Sequence, residues 1–318
     1  MKVPNHLHAY TPHPRKWEDH ESQLMIHTPQ EFSFSENLSY LSRSDQECLF
    51  EVTNVQIVRA LELNNHTSLI EIRAETETKL IIRFLDGSSP KEWQDRVAVA
   101  HYIYEWFDLD RNLHPFYELA KNDPILQKPV HQFFGLRNMG IPDLFEAIVW
   151  AILGQQINLS FAYTLKRRFV ETFGNYLVHQ GKKYWLFPKP EKIADLTIED
   201  LADLKMTRKK SEYVIGAAQQ MVRGELSKET LLEAKDIKTA EKMLTRIRGI
   251  GPWTANYVCM RCLRYPSAFP IDDVGLHNSI KHITGAKEKP SKEEILQYSA
   301  SWTDWEAYAT FYLWRMLY

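Results

Sequence analysis

The chain has 318 residues, of which 44% are hydrophobic and 25% charged, and its formal net charge is −2. This composition excludes wholesale disorder, and the length indicates two or three domains. No apolar run reaches the roughly 18 residues that cross a bilayer, so we expect no membrane partner. The near-zero net charge argues against a protein that holds polyanions through a large basic surface.

Residues 1–28 are rich in histidine, proline and charge and contain no apolar signal-peptide core, so we expect an extended or loosely ordered tail. The three cysteines, Cys48, Cys259 and Cys262, are too few for a disulfide framework, which indicates a reduced, cytoplasmic setting. Cys259 and Cys262 have the spacing of a zinc or redox pair. They lie in an apolar helical segment without a second ligand pair, so buried thiols are favoured over a metal site.

Residues 29–110 predict a small α+β domain. Alternating apolar residues predict strands at 56–63, 69–75 and 80–85. Helical patterns occupy 35–41 and 93–107.

Residues 111–318 predict an almost wholly helical unit, and four prolines between 107 and 142 mark its beginning. The predicted helices cover 144–173 with an interruption at Gly154, 193–204, 211–223, 239–247, 254–263, 274–283 and 291–301. The fold class is therefore mainly α, with an N-terminal α+β domain.

The most informative stretch, residues 244–255, predicts two helices joined by the turn Gly249-Ile250-Gly251. Pro252 suits the first turn of the second helix, where a missing N–H has no cost. Glycines let another molecule approach the backbone, and the free amides of a helix start attract anions. A plain helical hairpin packed in a core is the alternative interpretation.

This stretch resembles the helix-hairpin-helix of the HhH-GPD superfamily of DNA glycosylases. The resemblance implies a phosphate of double-stranded DNA bound by the hairpin, at Gly249, Ile250, Gly251 and Thr254. It also implies a structural Na⁺ or K⁺ ion on backbone carbonyls of the hairpin, near Thr245, Ile247 and Ile250.

The resemblance continues to the family's catalytic carboxylate. Superfamily members have an aspartate about 20 residues beyond the hairpin, and Asp273 lies 273 − 253 = 20 residues after Trp253. The resemblance therefore makes Asp273 the catalytic candidate, with Asp272 as its neighbour. A helix N-cap is the alternative role for Asp273, and it can coexist with catalysis.

Within the superfamily, the chain is most similar to the branch of 3-methyladenine (alkylbase) glycosylases. Residues 251–257, Gly-Pro-Trp-Thr-Ala-Asn-Tyr, resemble the Gly-Arg-Trp-Thr-Ala-Asn-Tyr of that branch, and residues 144–156 resemble its helix ending in Ala-Ile-Leu-Gly-Gln. Residues 302–314 resemble its closing helix. The implied reaction is hydrolysis of the N-glycosidic bond of flipped alkylated purines, in base excision repair.

The family positions imply two further sets of residues. Trp253, Tyr257 and Trp314 would form an aromatic pocket for an electron-poor base, although all three could instead be core residues. Gln155 or Gln156, with Gln156 preferred, would fill the space left by the flipped base. The family's aromatic residue after the catalytic aspartate is Val274 here, which leaves the lesion range open.

The resemblance also predicts what the chain lacks. Bifunctional members carry a lysine at the position of Trp253, so we expect a monofunctional hydrolase without lyase activity. No cysteine follows Cys262, so no iron–sulfur cluster is expected. The candidates for phosphate contact before the hairpin are Arg208, Lys209 and Lys210. We also expect the protein to be a monomer.

Two other functions compete with an alkylpurine glycosylase. A non-catalytic helix-hairpin-helix module would bind DNA but would need neither Asp273 nor the aromatic set. A glycosylase for oxidised or deaminated purines would share the fold, but the oxidised-purine lyases need the hairpin lysine that Trp253 replaces.

Overall fold

The structure is a computed structural model that describes residues 16–317. Most of the predicted tail, residues 1–15, lies outside the described residues. The assignment to a tail outside the domain is wrong for residues 17–27, whose extended backbone forms the first two strands of the sheet. Leu24 and Ile26 are fully buried there, so this segment contributes to the core.

Six antiparallel strands form one sheet in the order β1-β2-β6-β5-β4-β3. Their bounds are β1 (Trp17–His20), β2 (Gln23–His27), β3 (Phe50–Val52), β4 (Gln56–Leu63), β5 (His66–Thr76) and β6 (Lys79–Phe84). Asn64 and Asn65 both have positive φ, which suits the tight turn between β4 and β5. Two helices, α1 (Phe34–Leu41) and α2 (Trp93–Trp106), complete this region.

The helical unit begins after α2. Its helices are α3 (His114–Ala120), α4 (Gln127–Gln132), α5 (Leu144–Gly154), α6 (Leu159–Phe173), α7 (Pro190–Ala194), α8 (Arg208–Val222), α9 (Lys228–Leu232), α10 (Ile237–Thr245), α11 (Pro252–Arg261), α12 (Val274–Thr284), α13 (Lys292–Tyr298) and α14 (Glu306–Arg315). The helix predicted over 193–204 is wrong as a single element, because α7 ends at Ala194 and a separate 3₁₀ turn covers 199–204.

The expectation of an almost wholly helical second unit missed a hairpin of two strands, β7 (Tyr176–His179) and β8 (Lys182–Trp185). Tyr184 on β8 and Leu186, just after β8, pack against Val58 and Leu69 on one face of the N-terminal sheet. The opposite face joins the main core beside the helices. Both faces are therefore covered, which explains why strands β4 and β5 are apolar on each side.

The core runs without interruption from the sheet into the helical unit. Helix α5 lies at its centre, and every α5 residue from Leu144 to Leu153 is buried. Buried ion pairs also cross between the two parts, from Arg59 to Glu146 and from Lys166 to Glu47. None of the helices within residues 16–317 is long and apolar enough to cross a membrane.

Candidate active site

Asp273 lies at the start of α12, where a short loop turns into the helix. Its Oδ1 accepts a hydrogen bond from the Leu276 amide at 2.8 Å, so the predicted N-cap role is real. The loop is tight, because the Asp273 amide donates back to the Pro270 carbonyl at 2.8 Å. The cap fixes the direction of the carboxylate and leaves it half-buried at the surface of the helical unit.

Two tryptophans hold the Asp273 carboxylate from either side. Trp314 Nε1, on α14, donates to Oδ1 at 2.7 Å, and Trp253 Nε1, on α11, donates to Oδ2 at 3.0 Å. A Cβ at Gly275 would lie 2.9 Å from Oδ1 and 3.0 Å from the Trp314 ring, so glycine there permits the close approach. Both donors are neutral, and among residues 16–317 no cationic nitrogen forms an ion pair with Asp273. The arrangement orients the carboxylate without cancelling its charge.

The three aromatic residues predicted for a pocket lie together. The Tyr257 ring is 5.7 Å from Trp253 and 6.0 Å from Trp314, measured between ring centroids. Tyr257 and Trp314 are buried, whereas Trp253 is half-buried. Val274, which follows Asp273, is 62% exposed, so the side of the site next to it is open. Trp253 is therefore the most exposed of the three rings, and Tyr257 packs against it.

The hydroxyl of Tyr257 is fixed from the protein interior. It accepts hydrogen bonds from Trp150 Nε1 at 2.7 Å and from the Arg261 guanidinium at 2.8 Å. Burial raises the pKa of this phenol, so it remains neutral. Tyr257 is thus a rigid support for the two indoles.

The hairpin forms as predicted between α10 and α11. Gly249 has φ +93°, and a Cβ there would lie 2.1 Å from the ring of Tyr213, so only glycine fits. Gly251 does not require glycine in the same way, because any residue can adopt its φ of −88° and no atom lies within 4 Å of an added Cβ. Gly251 is the exposed N-cap of α11, which leaves the first amides of that helix facing outward.

Within the hairpin, Ile250 has another role from the one predicted. Its side chain is buried, and its amide donates to the Ile247 carbonyl at 3.0 Å. The amide of Ile250 is therefore used inside the turn and is not offered to a phosphate.

The two glutamines at the end of α5 have different environments. The Gln155 amide nitrogen donates to the Gly249 carbonyl at 2.9 Å and to Thr254 Oγ1 at 3.0 Å. Gln156 is exposed and has φ +57°, a left-handed conformation that is unusual for a side chain of this size. Gln155 is occupied within the protein, whereas Gln156 projects from a strained break between α5 and α6.

The three basic residues that begin α8 differ in their exposure to solvent. Arg208 and Lys209 are exposed, and Arg208 lies 3.6 Å and 3.8 Å from carboxylate oxygens of Glu199 and Glu212. Lys210 is buried and donates to the Leu153 carbonyl at 2.6 Å. Burial lowers the pKa of its ammonium. The prediction that Lys210 contacts phosphate is therefore corrected, because its Nζ points into the protein.

Sequence reasoning missed two residues that support the catalytic loop. Asn256 accepts the Phe269 amide on its Oδ1 at 3.0 Å, and His277 has its ring nitrogens 2.9 Å and 3.1 Å from the carbonyls of Ile271 and Pro290. His277 follows Asp273 by four residues, a spacing that places both on one face of a helix. That spacing was the available signal for it.

Cys259 and Cys262 are buried in and beside α11. Burial raises the pKa of the Cys262 thiol to about 12, and its Sγ lies 3.7 Å from the Pro142 carbonyl. Both residues therefore pack as small hydrophobic side chains, since a protonated, buried thiol is neither a nucleophile nor a metal ligand.

Two family descriptions match adjacent parts of the chain. Residues 149–304 match "HhH-GPD superfamily base excision DNA repair protein", and residues 22–148 match "8-oxoguanine DNA glycosylase, N-terminal domain". A "DNA-3-methyladenine glycosylase" of Bacillus subtilis is 53% identical over 302 residues, covering 95% of this chain and 99% of that protein. "DNA-3-methyladenine glycosylase 2" of Escherichia coli is 32% identical over 180 residues, covering 57% of this chain and 60% of that protein.

Solved structures share the fold. A 3-methyladenine DNA-glycosylase from Archaeoglobus fulgidus aligns with a TM-score of 0.79 and 23% identity, over 92% of this chain and 97% of that one. An 8-oxoguanine glycosylase/lyase of Clostridium acetobutylicum aligns with a TM-score of 0.73 and 19% identity, over 94% and 96% of the two chains. The architecture is therefore common to glycosylases that act on different lesions.

Proposed function

The chain belongs to the DNA-3-methyladenine glycosylases of the HhH-GPD superfamily, and we propose that Asp273 is the residue that carries its reaction. It is a DNA glycosylase of base excision repair that hydrolyses the N-glycosidic bond of alkylated purines. The observation that supports this role for Asp273 is its carboxylate, which two indole N–H groups hold and which has no cationic partner among residues 16–317. A mere DNA-binding module has no use for such a group.

The chemistry requires a negative charge beside the sugar. Cleavage of the bond between C1′ and the base passes through an oxocarbenium-like sugar, which a nearby carboxylate stabilises. Asp273 would do this and would orient or deprotonate the attacking water. Alkylated purines such as 3-methyladenine and 7-methylguanine are cationic and leave as neutral bases, so the site needs no strong general acid.

The indoles would serve both the carboxylate and the base. Trp253 is half-buried beside the open side of the site, so its face can stack on a flipped, electron-poor purine. Stacking and cation–π attraction contribute about 1–2 kcal/mol per ring. Tyr257 and Trp314 would hold Trp253 and Asp273 in place from behind.

Base flipping would use the features around the hairpin. We propose that Gln156 enters the duplex at the vacated position, which its exposure and strained backbone support. The first amides of α11, at Gly251 and Thr254, would bind a phosphate beside Gly249, with Arg208 and Lys209 as additional cationic contacts.

The partner is then double-stranded DNA with a damaged base, and we propose a cytoplasmic monomer.

We propose that the backbone carbonyls of Thr245, Ile247 and Ile250 hold an alkali cation. The Ile247 oxygen already accepts one hydrogen bond from the Ile250 amide, and a carbonyl oxygen has a second lone pair for an ion. A Na⁺ or K⁺ ion there would add positive charge next to the bound phosphate. We propose no zinc or iron–sulfur cluster, since Cys259 and Cys262 are buried as protonated thiols.

Base release is the test of this function. Wild-type protein is incubated with duplexes that contain 3-methyladenine, 7-methylguanine, hypoxanthine or 1,N6-ethenoadenine, and the freed base is quantified. We expect release of at least the two methylated purines, with the DNA strand left intact. Binding without release of any of the four bases would contradict the enzyme and leave the binding module.

Borohydride trapping separates hydrolysis from lyase chemistry. A lyase forms a Schiff base with the sugar through an amine, which borohydride reduces to a stable adduct. Trp253 occupies the position of the family's lysine, so we expect no adduct with lesion-containing DNA. A covalent adduct would reverse this prediction and favour the glycosylase for oxidised purines.

A further inference from the structure

The side chain of Gln155 connects two parts of the DNA-facing surface that the proposed function treats separately. One part is the break after α5, where Gln156 projects. The other is the hairpin between α10 and α11. Both hydrogens of the Gln155 amide are used, one on the Gly249 carbonyl and one on the Thr254 hydroxyl. Because a carbonyl can only accept, the nitrogen of the amide must face Gly249, which fixes the orientation of the group.

The break is also held from its other side. Lys210, on α8, donates to the Leu153 carbonyl two residues before Gln155. Its neighbour on the same helix, Tyr213, packs its ring against Gly249. Helix α8 therefore contacts both the break and the hairpin, and the Gln155 amide spans the space between them.

The connection extends to the catalytic carboxylate. Thr254, the acceptor of one Gln155 bond, is buried and directly follows Trp253. Trp253 donates to Asp273, and its ring edge would lie 3.9 Å from a Cβ placed at Gly154. The break therefore lies next to both the hairpin and the indole that orients the carboxylate.

We propose that Gln155 is a positioning residue for base flipping, which locks the break that carries Gln156 to the DNA-binding hairpin. The inference rests on the proposed function. Base flipping requires the inserted side chain to lie at a fixed distance from the phosphate that the hairpin binds. The reason is that a base leaves the stack only where the duplex is held. Gln156 is adjacent in the chain to Gln155, so locking one sets the position of the other.

The test compares paired and unpaired lesions. Gln155→Met keeps the length and neutral charge of the side chain and removes both N–H donors. Single-turnover release of 7-methylguanine is measured with cytosine opposite the lesion and with a tetrahydrofuran abasic site opposite it. We expect Q155M to be about tenfold slower on the paired lesion, from the loss of two hydrogen bonds. On the unpaired lesion we expect a loss within about twofold, since little pairing is left to break.

Matched variants check the specific bonds. Gln297→Met makes the same change at an exposed site on α13 and should match wild type on both duplexes. Thr254→Val removes one of the two acceptors and should show the same selectivity for the paired lesion with a smaller loss than Q155M, whereas Thr254→Ser keeps the hydroxyl and should recover most of the rate. The double variant Q155M/T254V should lose less than the sum of the two single losses, because the residues share one interaction.

The outcomes separate two failures. Wild type that releases no base from either duplex would contradict the proposed function itself. Active wild type with Q155M equally slowed on both duplexes, or not slowed at all, would overturn only the positioning role of Gln155. Melting temperatures of all variants establish whether an equal loss comes from a destabilised fold.

Discussion

Asp108 and Asp273 are both held by several donors, but the donors differ in charge. Asp108 is buried and accepts hydrogen bonds from the guanidinium groups of Arg111 and Arg264 and from the Tyr308 hydroxyl. These cations outweigh burial and hold the pKa of its carboxyl well below the usual range. Asp273 is half-buried and accepts only from a backbone amide and two indoles.

The difference supports the proposed catalytic role of Asp273 and a structural role of Asp108. A carboxylate whose charge is cancelled by arginines has little field left to offer a cationic transition state, and it serves to join elements of the fold. Asp108 joins the segment after α2, the segment after α11, and α14. A carboxylate oriented by neutral dipoles keeps its net charge and is preorganised for a developing positive charge.

The largest expected effect comes from Asp273→Asn. Asparagine is as good an N-cap as aspartate, so α12 should remain folded. The loss of the negative charge should slow single-turnover release of 3-methyladenine by about a thousandfold. DNA binding, measured by fluorescence anisotropy, should stay within about threefold of wild type. Release at a near-normal rate would move the catalytic role to another group.

Asp108→Asn should have the opposite profile. It removes the anion of the buried Arg111 and one of the two carboxylates that pair with Arg264, which costs about 3 kcal/mol of folding free energy. Urea unfolding measures this loss. The catalytic rate of the fraction that remains folded should change little, because within residues 16–317 Asp108 forms no direct hydrogen bond with Asp273, Trp253 or Trp314. A variant of unchanged stability would contradict the assignment of Asp108 as structural.

Trp253→Phe tests the neutral donors. Phenylalanine keeps a ring in the pocket and removes the N–H that orients Oδ2 of Asp273. We expect release to slow by about tenfold, as for the loss of one hydrogen bond to a charged acceptor. Trp93→Phe, at a tryptophan that is 60% exposed in the sheet domain, is the matched control and should be neutral. Equal rates for both variants would show that the indole N–H has no catalytic role.

Glu306 offers a third environment, burial without a cation. Burial, with a smaller effect of Asp304, raises the pKa of this carboxyl to about 7. The folded state then holds the proton more tightly than the unfolded chain does, so stability falls as pH rises from about 4.5 to about 7.

Glu306→Gln should remove that dependence. The difference in unfolding free energy between the variant and wild type should be about 1 kcal/mol more in favour of the variant at pH 8 than at pH 5. The expected value is small because the side chain is partly solvated. Chemical unfolding of both proteins at the two pH values measures this difference. Subtracting wild type from the variant at each pH removes the contribution of the other titrating groups. An equal gain at both pH values would contradict the raised pKa.

Much of the helical unit was predictable because its signals are local. Apolar spacing predicted α5, α6, α8 and α11, and glycine and proline predicted the hairpin. The resemblance to the glycosylase superfamily, together with the distance from Trp253, implied Asp273. The hairpin of β7 and β8 was not predictable in this way. Its strands are four residues long, and their inner side chains are buried only by contact with the distant β4 and β5.

The roles of individual side chains were harder to predict. Arg208, Lys209 and Lys210 are alike in sequence, yet only Lys210 lies on the buried face of α8, one turn before Val214. Helical phase could have indicated this. The indole bonds to Asp273 could not have been predicted, because they join residues on three helices whose packing is tertiary.

Binding of a charged abasic analogue tests most directly whether Asp273 presents an uncompensated negative charge to the sugar. A duplex with a cationic pyrrolidine at the abasic position mimics the charge of the transition state, and a tetrahydrofuran duplex is its neutral counterpart. We predict that wild type binds the cationic duplex at least about tenfold more tightly than the neutral one. In Asp273→Asn that preference should disappear, while Asp108→Asn should retain it. Equal affinity of wild type for the two duplexes would contradict the account.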